Sequence, residues 1–164
     1  TSSSHHRCSI VEGMGNHCGD LALYTAIACG AEIVITPETG YDETEILEKL
    51  RYLGDAVKKN HAIVIISEKI CDVDGLAKKV SLHTNFSGRA TILGHIQRGG
   101  SPTPVDRMLS SRMGEKAIDL LMDGIGGHCV GIIDNEICSM PIQEALEKPR
   151  KSRKKLYRLF DRLV

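Results

Sequence analysis

The sequence predicts an α/β fold built on a mostly parallel sheet, and three observations carry that prediction. Strand-like runs alternate with helix-length segments along the chain. Residues 61–67 (HAIVIIS) are apolar without alternation, as in a central strand covered on both faces. Loops rich in Gly and polar residues follow the strands, where parallel sheets of this class put their ligands.

Residues 8–11 (CSIV) are β-leaning and run into the turn Gly13-Met14-Gly15. Residues 19–29 are apolar at nearly every step, a largely buried helix stopped at Gly30. Residues 32–36 (EIVIT) are a strand closed by Pro37. Asp42 or Thr44 caps the next helix, in which Ile46, Leu47, Leu50 and Leu53 keep helical spacing. After strand 61–67, residues 72–83 are helical and residues 89–93 (RATIL) return to strand. Residues 94–104 are expected to be a long polar loop with three Gly and two Pro. A helix over 105–122 takes its cap from Ser101 or Thr103 and stops at Gly124. The last expected strand, 129–133, leads through Pro141 into a short helix. The tail over 148–162 is basic and then amphipathic, with Leu156, Leu159, Phe160 and Leu163 on one stripe.

At 164 residues, with 41% hydrophobic and 26% charged side chains, the chain has ordinary globular composition, which rules out wholesale disorder. Lys+Arg and Asp+Glu both number 21, so bulk charge gives no pull toward nucleic acid or an anionic membrane. No apolar run approaches the roughly 20 residues that span a bilayer, and no signal peptide is recognisable. The six Cys lack C-x-x-C pairing or zinc spacing and sit mostly in apolar stretches, which reads as buried reduced thiols in a cytoplasmic setting. The opening TSSSHHR, without Met, reads as the interior of a longer chain.

Four segments could carry chemistry: Ser2 to Arg7, Met14 to His17, Glu68 directly after strand 61–67, and the loop GHIQRGGSP over 94–102. With Arg89 they bring Arg7, Arg98, His95 and a carboxylate to what is expected to be one end of the sheet. Arg forks and imidazole donors suit a phosphate, and a lone carboxylate suits sugar hydroxyls, so the pattern points to a phosphorylated polyol. Duller readings stand beside this one. Glu68 could cap the following helix or pair with Lys69, and Arg89 could be a surface ion pair. His61 and His83 read as structural, and the basic stretch 148–155 as a solvated helix face or a subunit contact. No Walker A loop or protein-kinase signature set occurs, so the residues suit an acceptor-substrate half.

The segments SSSHHR, VEGMGNHCGDLAL, GAEIVITPE, KKNHAIVIISE, RATILGHIQRGGSPTPVDR and SRMGEKAIDLL, in this order, resemble the C-terminal half of bacterial-type 6-phosphofructokinases, from residue 1 to about 146. The resemblance implies Rossmann-like three-layer domains and transfer of the γ-phosphoryl of ATP, or of pyrophosphate in some branches, to the 1-hydroxyl of fructose 6-phosphate. It implies substrate contacts at Arg7, Met14, Gly15, Glu68, Arg89, His95 and Arg98, with Arg7 and Arg89 serving a neighbouring subunit of a homotetramer. It assigns Glu32 to the magnesium of an ADP effector and Lys59 to that effector's phosphates. Asn16 stands where the family's turn usually carries Arg, and Val57 and Asn60 where effector lysines are common. The nucleotide loop and the catalytic aspartate are expected before residue 1. Residues 1–95 with 148–164 are expected to form the substrate and effector domain, and residues 96–147 part of the nucleotide domain. Such a segment alone is expected to expose apolar surface. Two further roles stay open: a pyrophosphate-dependent enzyme, and a non-catalytic subunit binding a sugar phosphate or nucleotide.

Overall fold

The computed structural model describes residues 3–149 and 152–164. The chain divides into two compact units, Thr1–Gly99 with Arg153–Val164, and Gly100–Ser152.

The first unit is built on a parallel sheet of β1 (Arg7–Gly13), β2 (Ile33–Ile35), β3 (Ala62–Ser67) and β4 (Ser87–Ile92), in the order β2-β3-β1-β4. The register sets Ile10 opposite Val64 on one side and Ala90 on the other. Helices cover both faces. On one, Ile46, Leu50 and Leu53 of α2 (Glu43–Asp55) and Leu76 and Val80 of α3 (Val73–His83) pack on Ile10, Ile35, Val64 and Ile66. On the other, Ala22, Leu23 and Ala26 of α1 (Asp20–Cys29) pack with Ile65, and Ile63 and Val34 lean on the same cluster. Even and odd residues of β3 therefore serve opposite layers, which is why its sequence is apolar without alternation.

Local signals define the ends. Gly30 closes α1 in the left-handed conformation (φ 66°), with the Ala31 N–H reaching Ala26 O. Of the two candidate caps for α2, Asp42 is the one used, accepting from the Thr44 and Glu45 N–H groups. Asp72 does the same for α3 through Gly75.

The second unit holds α4 (Pro104–Met122), a hairpin of β5 (His128–Ile133) and β6 (Glu136–Pro141), and α5 (Ile142–Glu147). Thr103 and Asp106 form a reciprocal capping box at the start of α4, so Thr103 and not Ser101 is the cap. Leu120 is the only buried hydrophobic residue among the described residues of this unit, while Val105, Met108, Ile118, Leu121 and Met122 of α4 lie exposed.

Five expectations need correction. Strand 129–133 is not the last: β6 follows it, joined by Asp134 and Asn135, both at positive φ (51° and 69°) as a two-residue hairpin turn requires. The loop expected over 94–104 begins with a 3-10 helix, Gly94–Arg98. In α6 (Lys154–Leu163) the packed residues are Leu156, Tyr157 and Phe160, whereas Leu159 and Leu163 face solvent. Within the basic tail, Arg153 is not simply a solvated charge: it binds Asp20 of α1 through two nitrogens and stands 5.9 Å over the Tyr24 ring. Residues 150 and 151 of that tail lie outside the described residues, as does Ser2 of the first candidate segment. Finally, only Cys8 is buried; Cys29 is exposed and the other four cysteines are intermediate.

Candidate functional site

β1 and β3 are neighbours, but the chain leaves them toward opposite layers: α1 follows β1 on one face and α3 follows β3 on the other. Loops that part in this way open a crevice at the carboxyl ends of the two strands. Three segments meet there.

The first is the turn after β1. The Gly15 N–H donates to Glu68 Oε1 at 3.0 Å and the Asn16 N–H to the same oxygen at 2.7 Å. Gly15 also accepts from the Cys18 N–H at 3.0 Å, and a Cβ on Gly15 would lie 2.3 Å from the Cys18 carbonyl oxygen. Only glycine lets the backbone close so tightly. The second segment is Glu68 itself. Asp72 performs the capping that Glu68 could have done, and Glu68 clamps the turn of the neighbouring strand instead. Its Oε2 takes no protein hydrogen bond among the described residues. The amides of Gly15 and Asn16, and then the charges of Lys69 and Arg98, hold this carboxyl below the ordinary carboxylate range. Glu12, near the end of β1, is shifted the other way, by desolvation and by the charge of Glu68. The third segment is the 3-10 helix after β4. Its Gln97 Oε1 accepts from the Met14 N–H at 2.6 Å, and its Arg98 acts electrostatically on Glu68. His95 lies on the same turn, exposed.

Met14, Gly15, Asn16, Glu68 and Arg98 are thus brought together, with His95 on Arg98's turn. Arg7 and Arg89 are not part of this group. Arg7 opens β1 while Gly13 ends it, a separation of ~20 Å along the strand. Arg89 lies within β4 opposite Ser9, exposed beside Asp74, Lys78 and Ser81 of α3. The expectation of one common end for all three arginines is corrected by strand direction. The segment before β1 sits at the amino ends of the strands, and Arg89 is inside a strand rather than after it.

Glu32 and Lys59 are paired with each other. Lys59 Nζ donates to Glu32 Oε1 at 2.7 Å, and the Ile63 N–H to Oε2 at 2.7 Å. Glu32 is buried, and its charge adds to the desolvation that pushes the Cys8 thiol up to about 12. Magnesium wants a near-octahedral oxygen set. In this chain both Glu32 oxygens are engaged by protein donors, and among the described residues no group of three or more His, Cys, Asp or Glu could hold a metal without a ligand's own oxygens. Lys59 also lines a cavity with His6, Lys58 and Asn60, beside the start of β1.

Sequence reasoning missed two participants. Gln97 sits inside a loop singled out for its His and Arg, but nothing in the sequence marks it as the partner of Met14. Lys69 donates from Nζ to Asn16 Oδ1 at 2.9 Å, a contact across 53 positions that no spacing rule reveals.

A three-layer α/β unit whose glycine turn and 3-10 helix meet at the carboxyl ends of its parallel strands belongs to the class of open α/β proteins, which take their ligands at that end of the sheet. Comparison with known proteins narrows the class. The family model described as phosphofructokinase matches residues 1–121. An ATP-dependent 6-phosphofructokinase of Teredinibacter turnerae is 56% identical over 148 residues, covering 90% of this chain and 46% of that protein. One from Photobacterium profundum is 50% identical over 164 residues, 99% of this chain and 51% of that protein. The phosphofructokinase structure from Saccharomyces cerevisiae superposes with a TM-score of 0.76 at 30% identity, over 89% of this chain and 21% of that one. A pyrophosphate-dependent phosphofructokinase from Marinobacter aquaeolei shares the fold, with a TM-score of 0.76 at 17% identity over 94% of this chain and 44% of that one. The chain belongs to the phosphofructokinase family, and it spans about half the length of the curated relatives it matches.

Proposed function

We propose that this chain forms the sugar-phosphate half of an ATP-dependent 6-phosphofructokinase, which transfers a phosphoryl group from ATP to the 1-hydroxyl of fructose 6-phosphate. The observation that carries the reading is Glu68: a charged carboxylate fixed by two amides, with one oxygen left for a ligand hydroxyl and an arginine alongside. Arg98, with His95, binds the ester phosphate through charge-assisted hydrogen bonds. Glu68 Oε2 accepts from the sugar, and the Met14-Gly15 turn lets the ligand approach the main chain. The contribution of this half is orientation of the acceptor and neutralisation of its charge. A divalent metal bound with ATP supplies the charge stabilisation of the donor side, and magnesium is the proposed ion.

Arg7 and Arg89, apart from their own chain's crevice, are proposed to complete the site of an adjoining protomer in a homotetramer. The effector role of Glu32 and Lys59 requires their mutual pair to open. Six free cysteines fit the reducing conditions of the cytoplasm.

The test is a coupled assay of ATP-dependent fructose 6-phosphate turnover with the protein as its gene encodes it, beside an Arg98→Ala variant. The reading expects turnover, and a loss of about 100-fold or more in kcat/KM for the variant. Absence of both turnover and fructose 6-phosphate binding would overturn it. Binding with no turnover would assign the chain to a regulatory subunit instead.

A further inference from the structure

We propose that Lys69 is a further phosphate-binding residue of this site: its ammonium, seated on Asn16, meets the phosphoryl oxygens of the bound phosphosugar beside Arg98. The inference rests on the reading of the crevice as a phosphosugar site and adds a residue to it.

Lys69 follows Glu68 directly, at the carboxyl end of β3 and ahead of α3. Its backbone is left-handed, φ 66°, a conformation that long side chains seldom adopt and that tends to persist where function requires it. Asn16 across the crevice is left-handed too, φ 52°, and its N–H is on Glu68. The two residues meet side chain to side chain, Nζ to Oδ1 at 2.9 Å.

The chemistry of that contact matters more than its strength. An exposed lysine is ordinarily a mobile stem whose ordering costs side-chain entropy. Here its head is fixed by a neutral amide oxygen, which orients the ammonium without cancelling its charge. An ammonium carries three donors, and the amide takes one. The charges of Lys69 and Arg98 both act on Glu68, so the two cations stand around the same carboxylate. A ligand with hydroxyls for Glu68 and phosphoryl oxygens for the two cations matches these three charges. Asn16 then acts as the positioning residue for Lys69.

Calorimetric titration of the full protein with fructose 6-phosphate and with fructose 1,6-bisphosphate tests this, on the parent, Lys69→Met, Lys69→Arg and Lys69→Gly. We expect Lys69→Met to bind at least one of the two about tenfold more weakly and to lose part of the salt dependence of binding. Lys69→Arg should recover most of that loss. Lys69→Gly separates binding from folding: glycine relieves the left-handed backbone, so its thermal midpoint should not fall while its affinity does. Weaker binding of fructose 6-phosphate assigns Lys69 to the 6-phosphate, and weaker binding of the bisphosphate alone assigns it to the 1-phosphoryl group. Parental affinity of Lys69→Met and Lys69→Gly for both ligands, in a parent that binds them, overturns the role of Lys69. A parent that binds neither overturns the phosphosugar reading itself.

Discussion

Glu68 is a small case of how one side chain converts sequence-distant backbone into a site. Its partners are N–H groups 52 and 53 positions away, so the residue was recognisable as a lone acid after a buried strand while its role as a clamp was not. Backbone donors leave no trace in residue identity. Because its folded pKa is depressed, the stability it contributes is present above the ordinary carboxylate range, near pH 4, and is lost as pH falls through the depressed value. The gap in thermal midpoint between the parent and Glu68→Gln should therefore be full at neutral pH and close on acidification; a gap independent of pH would contradict the clamp. The sequence marks Gly15 only as part of a glycine turn, and the structure shows what its missing side chain makes room for, the Cys18 carbonyl oxygen. Gly15→Ala forces that backbone to move, with an expected cost of about 1–3 kcal/mol in denaturant unfolding. A neutral result would mean that the turn adapts freely.

At the scale of elements, the strands and helices of the parallel unit are readable because their signals are local and agree: Asp42 caps, Gly30 stops, and β3 is apolar on both faces. β6 escapes the sequence reading because Asp134-Asn135 lacks the glycine of the strongest hairpin signals, although both residues tolerate the left-handed turn that folds a hairpin. The stripe on α6 was misread because periodicity alone does not say which side of a short helix finds a partner. Tyr157 joins Phe160 by donating or accepting a hydrogen bond with buried Thr36 at 2.6 Å, and Leu159 is left outside. Phe160→Ala should cost about 3–5 kcal/mol and detach α6 from α1, whereas Leu159→Ala should change stability by less than about 0.5 kcal/mol. Equal effects of the two in chemical denaturation would reverse this assignment.

For the whole molecule, the distribution of buried residues is uneven: Leu120 alone represents the core of the second unit among its described residues, against a double-sided core in the first. A polypeptide of these 164 residues should therefore be cleaved by a limiting protease first within Gly100–Ser152, with β1 and β3 resistant. Early cuts inside β3 would be inconsistent with this core. Topology also explains the largest misplacement in the sequence reading. Arg7, Arg89 and Arg98 were pooled because each adjoins a strand, but a parallel sheet has two distinct ends, and only Arg98 follows its strand. Hydrogen–deuterium exchange by mass spectrometry, on the full protein with fructose 6-phosphate or plain fructose, probes the crevice at the scale on which it is assembled. Slower exchange confined to the peptides bearing Met14–Asn16, Glu68–Lys69 and Gly94–Arg98, with the phosphorylated sugar only, is the predicted result. Protection absent from all three segments, or equal with both sugars, would contradict a phosphate-reading site at the carboxyl ends of β1, β3 and β4.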